Sequence, residues 1–110
     1  MNDSNCPACN SQSVKFWESG MNLECFYCGY TCEYIQSYGD LVPLEEYIIE
    51  TDPVKKVQYF IINNHQTQTT TVKPRFGSRS LGHRFPMIDI LNKQSRINAI
   101  VKYKMVAIMK

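Results

Sequence analysis

Apolar and polar residues alternate in short runs along most of this chain, and short alternating runs predict strands. Val14-Lys15-Phe16-Trp17-Glu18 sets Val14, Phe16 and Glu18 on one face of a first strand. Ser19-Gly20 predicts a turn with Gly20 at positive φ, and residues 21–26 return as a second strand. Residues 30–38 read as a third strand ending at Gly39-Asp40. Residues 41–52 fit two readings. Pro43 suits the start of a short helix with Glu45 and Glu46 in its first turn, while residues 47–50 suit a strand. Asp52-Pro53 marks a break. Residues 54–62 carry a strong strand signal, residues 63–66 a polar turn, and the threonine-rich residues 67–72 an exposed partner strand. Met87, Ile88, Ile90 and Leu91 predict a short helix over 87–94, following Pro86. The tail supports two periods. Ile97, Ile100, Val101, Met105 and Ile108 have helical spacing, yet the richness of 98–108 in Val, Ile and Tyr favours a strand there.

Cysteines add a constraint that periodicity does not carry. Cys6, Cys9, Cys25 and Cys28 form two Cys-x2-Cys pairs with fifteen residues between them, a spacing typical of a structural zinc site. Each pair puts two sulfurs on one tight turn, and two facing turns give four soft ligands for a tetrahedral ion. Gly29 directly follows the second pair and lets backbone amides turn back toward the sulfurs. The competing readings are two disulfides or four unrelated thiols. The N-terminal residues have neither the basic nor the apolar region of a secretory signal, and no apolar run reaches the length of a membrane span. An intracellular, reducing location (cytoplasm or nucleus) and no membrane partner are therefore the expectation, and a reducing compartment favours metal over disulfides. Four sulfurs complete the tetrahedron, so one structural Zn2+ is expected, and His65 and His83 are not needed as ligands. The fifth thiol, Cys32, reads as a small buried hydrophobe.

Cys6-Pro7-Ala8-Cys9, then Gly20, then Glu24-Cys25-Phe26-Tyr27-Cys28-Gly29 resembles the zinc ribbons of the transcription factor IIB family. It is also similar to the zinc-binding domain of phage-type primases. The resemblance covers residues 6–39. It implies the four ligands, the following glycine, and a setting within nucleic-acid machinery, and it implies nothing about the remaining chain. The expected fold is mainly β, with a small α+β arrangement left open. A zinc ribbon over 1–40 precedes a basic β-rich unit over 41–110 with one short helix, the two either separate or packed as one domain. Forty residues alone bury too little apolar surface to fold, so the metal is expected to supply most of the ribbon's folding free energy.

Charge divides the same chain differently. Residues 1–52 hold nine acids against one base, Lys15, a formal charge of −8; residues 53–110 hold eleven bases against Asp89, a formal charge of +10. Within residues 73–87, Lys73, Arg75, Arg79 and Arg84 occur with His83 and without an acid, interleaved with Phe76 and Phe85. Arginine forks match phosphate, and aromatic faces stack on bases. Lys73, Arg75, Arg79, His83 and Arg84 are thus the candidate contacts to DNA or RNA. A basic loop that packs on the acidic half of the chain is the plainer alternative. Trp17, near the first hairpin tip, is a further candidate for stacking or docking.

No nucleophile elbow, phosphate-binding glycine loop or paired-carboxylate spacing is present, so an enzyme is not expected, and a small nuclease is the minor alternative. The expected function is a nucleic-acid-binding accessory of transcription or replication, with a polymerase or other protein as a further partner. The alternative is an adaptor or inhibitor that engages a host enzyme through its acidic half. Abundant Asn, Ile, Lys and Tyr hint at an AT-rich viral or phage genome.

Overall fold

The computed structural model describes residues 5–76 and 82–108. Its chain forms one seven-stranded sheet followed by one helix. The strands are β1 (Val14–Trp17), β2 (Asn22–Cys25), β3 (Thr31–Ser37), β4 (Asp40–Thr51), β5 (Gln58–Asn64), β6 (Thr69–Pro74) and β7 (His83–Pro86), and the helix is α1 (Lys93–Ile108). Strand order in space equals strand order in sequence, and every neighbouring pair is antiparallel. The fold is mainly β, as the alternating pattern predicts.

Residues 41–52 resolve the first ambiguity. Residues 41–51 are strand, inside the twelve-residue β4, and Asp52 follows its end. Pro43 is tolerated near a register shift in the β3–β4 pairing, between Glu33 and Tyr34. The break at Asp52 is present. Its side chain accepts the Val54 N–H at 3.0 Å, and its backbone closes the β4–β5 turn by exchanging bonds with Val57 and Lys56.

The tail departs from expectation. Residues 98–108 lie in α1, and the short helix over 87–94 is absent, since α1 starts only at Lys93. Asn92 caps it, its side-chain oxygen accepting the Ser95 N–H at 3.0 Å. Tertiary anchoring overrides the β-branched composition. Arg96, Ala99, Ile100, Tyr103 and Lys104 recur at helical spacing and face the sheet: Ala99 and Ile100 are buried, and Tyr103 meets Tyr59 edge-on at 5.6 Å between ring centroids. Two of these anchors are charged. Arg96 donates to Glu50 and to the Ile90 carbonyl, each at 2.7 Å, and Lys104 donates to Asp52 at 2.7 Å. Val101 and Met105, which belong to the apolar stripe read from the sequence, are exposed.

Helix α1 covers one face of the sheet. That face presents Ile48, Tyr59, Ile61 and Val72, which are buried together with Ile90, Ala99 and Ile100. Asn63 and Thr70 fasten the 87–91 segment to it. Asn63 donates to the Ile88 carbonyl at 2.9 Å, and the Thr70 hydroxyl accepts the Ile88 N–H at 2.9 Å. The alternate residues Tyr47, Ile49, Phe60, Ile62, Thr71 and Lys73 point to the other face, where they are half-buried or exposed. Among the described residues no helix is long and apolar enough to cross a membrane.

Candidate metal centre and basic sheet face

Both cysteine pairs sit on tight turns of the same construction. In the first, the Asn10 N–H bonds the Cys6 carbonyl at 2.7 Å, and the Ala8 N–H points at Cys6 Sγ at 3.4 Å. In the second, the Gly29 N–H bonds the Cys25 carbonyl at 3.1 Å, and the Tyr27 and Cys28 N–H groups point at Cys25 Sγ at 3.4 and 3.5 Å. Strand β2 carries Cys25, and the β1–β2 pairing sets Val14 opposite it. A Phe26 N–H bond to the Ser13 carbonyl at 2.8 Å ties the second turn to the approach to β1. These contacts bring the turns face to face.

The four sulfurs lie within 4.8 Å of one another, with Cys6–Cys28 at 3.6 Å and Cys9–Cys25 at 3.7 Å. Those distances exclude disulfides, whose sulfurs sit about 2.05 Å apart. They match the edge of a tetrahedron of sulfurs around zinc, about 3.8 Å for a bond of about 2.3 Å. The chemistry of the set also fits a cation. Burial opposes ionisation of the Cys25 thiol, but the Cys28 and Tyr27 amides outweigh it and bring the pKa to about 7. Burial raises the pKa of Cys6 and of Cys28, as expected for thiols crowded together without a counter-charge. A bound cation would supply that charge and release the protons. The four cysteines thus form a cluster able to hold one metal ion, consistent with a ribbon-like motif.

Cys32 lies elsewhere, on β3 between Leu23 and Glu46, and is buried with its pKa raised by burial. Tyr30, predicted to flank the hairpin, is also buried; it donates to Glu46, whose other oxygen accepts from His65 Nε2 at 2.7 Å. His65 is therefore engaged rather than exposed at a turn. Trp17 is 38% exposed, with Lys15 Nζ 4.1 Å from its ring centroid, and Phe26 and Tyr27 are exposed on the second cysteine turn.

The basic segment is partly strand. β7 pairs with β6 and forms the last edge of the sheet, a strand that the basic composition concealed. The pairing divides the candidate bases between two faces. Lys73 follows the alternation of Phe60 and Thr71 onto the face opposite α1, and Arg84 pairs with Thr71 on that same face. Arg75 joins them, donating from Nη1 to Gln58 Oε1 at 2.8 Å. His83 pairs with Val72 and so turns to the helix side, its ring tilted against Phe85 at 4.7 Å between centroids. Arg79 lies outside the described residues.

Internal charge pairing does occur among the described residues, and it runs through other bases. Glu46 in the middle of β4, Glu50 near its end and Asp52 just after it pair with His65, Arg96 and Lys104. Lys73, Arg75 and Arg84 make no ion pair among the described residues. No family model, curated protein or solved structure matches the chain.

Proposed function

We propose that this chain is a zinc-ribbon accessory protein in which one Zn2+, held by Cys6, Cys9, Cys25 and Cys28, organises the N-terminal hairpin and a basic sheet face binds nucleic acid. The ion is structural. Four thiolates fill its coordination, so it offers no open position for a substrate, and no catalytic role is assigned.

Charge sorting on folding carries the nucleic-acid reading. Three acids of the first half are consumed by His65, Arg96 and Lys104, while Lys73, Arg75 and Arg84 converge on one face. The same sorting removes Glu46, Glu50 and Asp52 from the surface that an adaptor working through its acidic half would use.

Fluorescence anisotropy with a labelled oligonucleotide across a KCl titration tests the reading. Affinity is expected to fall steeply with salt. Replacing Lys73, Arg75 and Arg84 by Gln is expected to flatten the log–log slope by about 2, at roughly 0.7 per phosphate contact on a single strand. A salt-independent signal, or a triple variant with the wild-type slope, would overturn it.

A further inference from the structure

The face of the sheet away from α1 has a composition that a merely solvated face does not need. Its residues on β4, β5 and β6 include Tyr47, Ile49, Phe60 and Ile62, large apolar side chains that no helix covers among the described residues. Register places them in rows. Tyr47, Ile62, Thr71 and Arg84 run across one row, and Ile49, Phe60 and Lys73 across the next. Tyr47 and Phe60 sit diagonally and meet edge-on, 6.3 Å between centroids. Lys73 Nζ lies 5.9 Å from the Phe60 centroid.

Charge on this face is graded. Glu24 and Glu45 belong to its β2 and β4 side, since Glu24 pairs with Thr31, which pairs with Tyr47, and Glu45 alternates with Tyr47. Lys73, Arg75 and Arg84 occupy the β6–β7 side. Between the acidic and basic borders lie the two aromatic rings. A polyanion is repelled at one border and held at the other. Flat apolar groups attached to that polyanion would lie over Tyr47 and Phe60.

We infer that this open face is a platform for single-stranded nucleic acid, with bases stacked on Phe60 and Tyr47 and the phosphate backbone held by Lys73, Arg75 and Arg84. The inference rests on the nucleic-acid reading above and adds the strandedness and the stacking residues. A duplex keeps its bases paired and stacked inside, so it reaches the basic border but not the rings; unpaired bases reach both. Stacking tolerates every base, so weak sequence preference and strong salt dependence belong to the same arrangement.

The test compares anisotropy titrations of the full zinc-loaded chain with a labelled mixed-sequence single strand, in ribo and deoxyribo forms, and with the duplex of the same sequence. The single strands are expected to bind at least tenfold more tightly than the duplex. Phe60→Ile removes the ring and puts a strand-favouring β-branched residue in its place, and its fold is verified by circular dichroism and zinc content. It is expected to weaken single-strand binding roughly tenfold and to leave duplex binding unchanged. Photo-cross-linking of the unaltered chain to an oligonucleotide carrying 5-iodouracil is expected to map to β4 and β5. Equal affinity for both strand states, with Phe60→Ile neutral and cross-links confined to β6 and β7, overturns the platform while leaving nucleic-acid binding standing. Cross-links confined to Trp17, Phe26 or Tyr27 also overturn the platform, and binding of neither strand state overturns both readings.

Discussion

Asn10 and Gly29 hold equivalent places, each directly after the second cysteine of a pair, and each adopts a left-handed backbone, with φ of 64° and 84°. Glycine reaches that region without steric cost, and asparagine is among the few other residues enriched there. Gly29 was legible from sequence as the residue that lets the turn close. Asn10 performs the same task, and its chemistry signals it only once the turns are aligned. The β1–β2 turn shows the opposite outcome. Met21, at φ 48°, takes the left-handed position expected of Gly20, because the Met21 N–H closes the turn onto the Glu18 carbonyl. Which residue of a turn bears positive φ depends on the closing bond, and composition does not reveal that. The four ligands were readable because metal geometry fixes their spacing, and Cys32 was separable because the tetrahedron was already full. Cys32→Ala is expected to retain one zinc per chain, measured by mass spectrometry under native conditions, at a stability loss of roughly 1 kcal/mol. Cys28→Ala is expected to lose the metal.

At the scale of elements, the strands of the hairpins were the legible part, since period-two alternation is strong where one face is buried. Strand β7 was hidden because its four residues, His83–Pro86, sit in a segment whose charge suggests a loop. Helix α1 was misread because apolar periodicity does not count Arg96 and Lys104 as inward-facing, although both reach buried carboxylates. The pair of Asp52 and Lys104 carries a pH signature. The Lys104 ammonium, helped by the Val54 N–H, holds the Asp52 carboxyl below its ordinary pKa. A depressed folded-state pKa stabilises the protein above the unfolded pKa, and that stability is lost as pH falls through the folded value. Lys104→Met is therefore expected to be clearly less stable than the wild type at pH 7. The difference is expected to shrink below about pH 4, where the unfolded carboxyl takes up its proton. Urea unfolding at pH 7 and pH 3 measures both.

The whole molecule is a single run of hydrogen-bonded strands from the cysteine turns to the basic edge, yet its support is uneven. Ile48, Ile61, Val72 and Ile90 are buried with Ala99 and Ile100 of α1, whereas the β1–β2 end has Leu23 and the cysteines. Metal removal is thus expected to act locally first. With a chelator present, hydrogen exchange should rise sharply in β1 and β2 while β5 and β6 keep their protection, because β5 and β6 bury Tyr59, Ile61 and Val72 beside the helix, at the far end of the core from the cysteine turns. Simultaneous loss of protection in all strands would show instead that the ion stabilises the entire sheet.

The order of the strands has a temporal meaning. Each strand pairs with the one made just before it, so a chain emerging N-terminus first lays down its sheet by successive short closures, each of low entropic cost. The cysteine set is complete once residue 28 has appeared, before Tyr47, Phe60, Lys73, Arg75 and Arg84 exist. Only the helix breaks this sequence. Its bonds from Arg96 to Glu50 and from Lys104 to Asp52 span 46 and 52 residues, and they cannot form until Arg96 and Lys104 have themselves been made, after all seven strands. The sheet is born open on both sides, and the helix, made after every strand, shuts one of them.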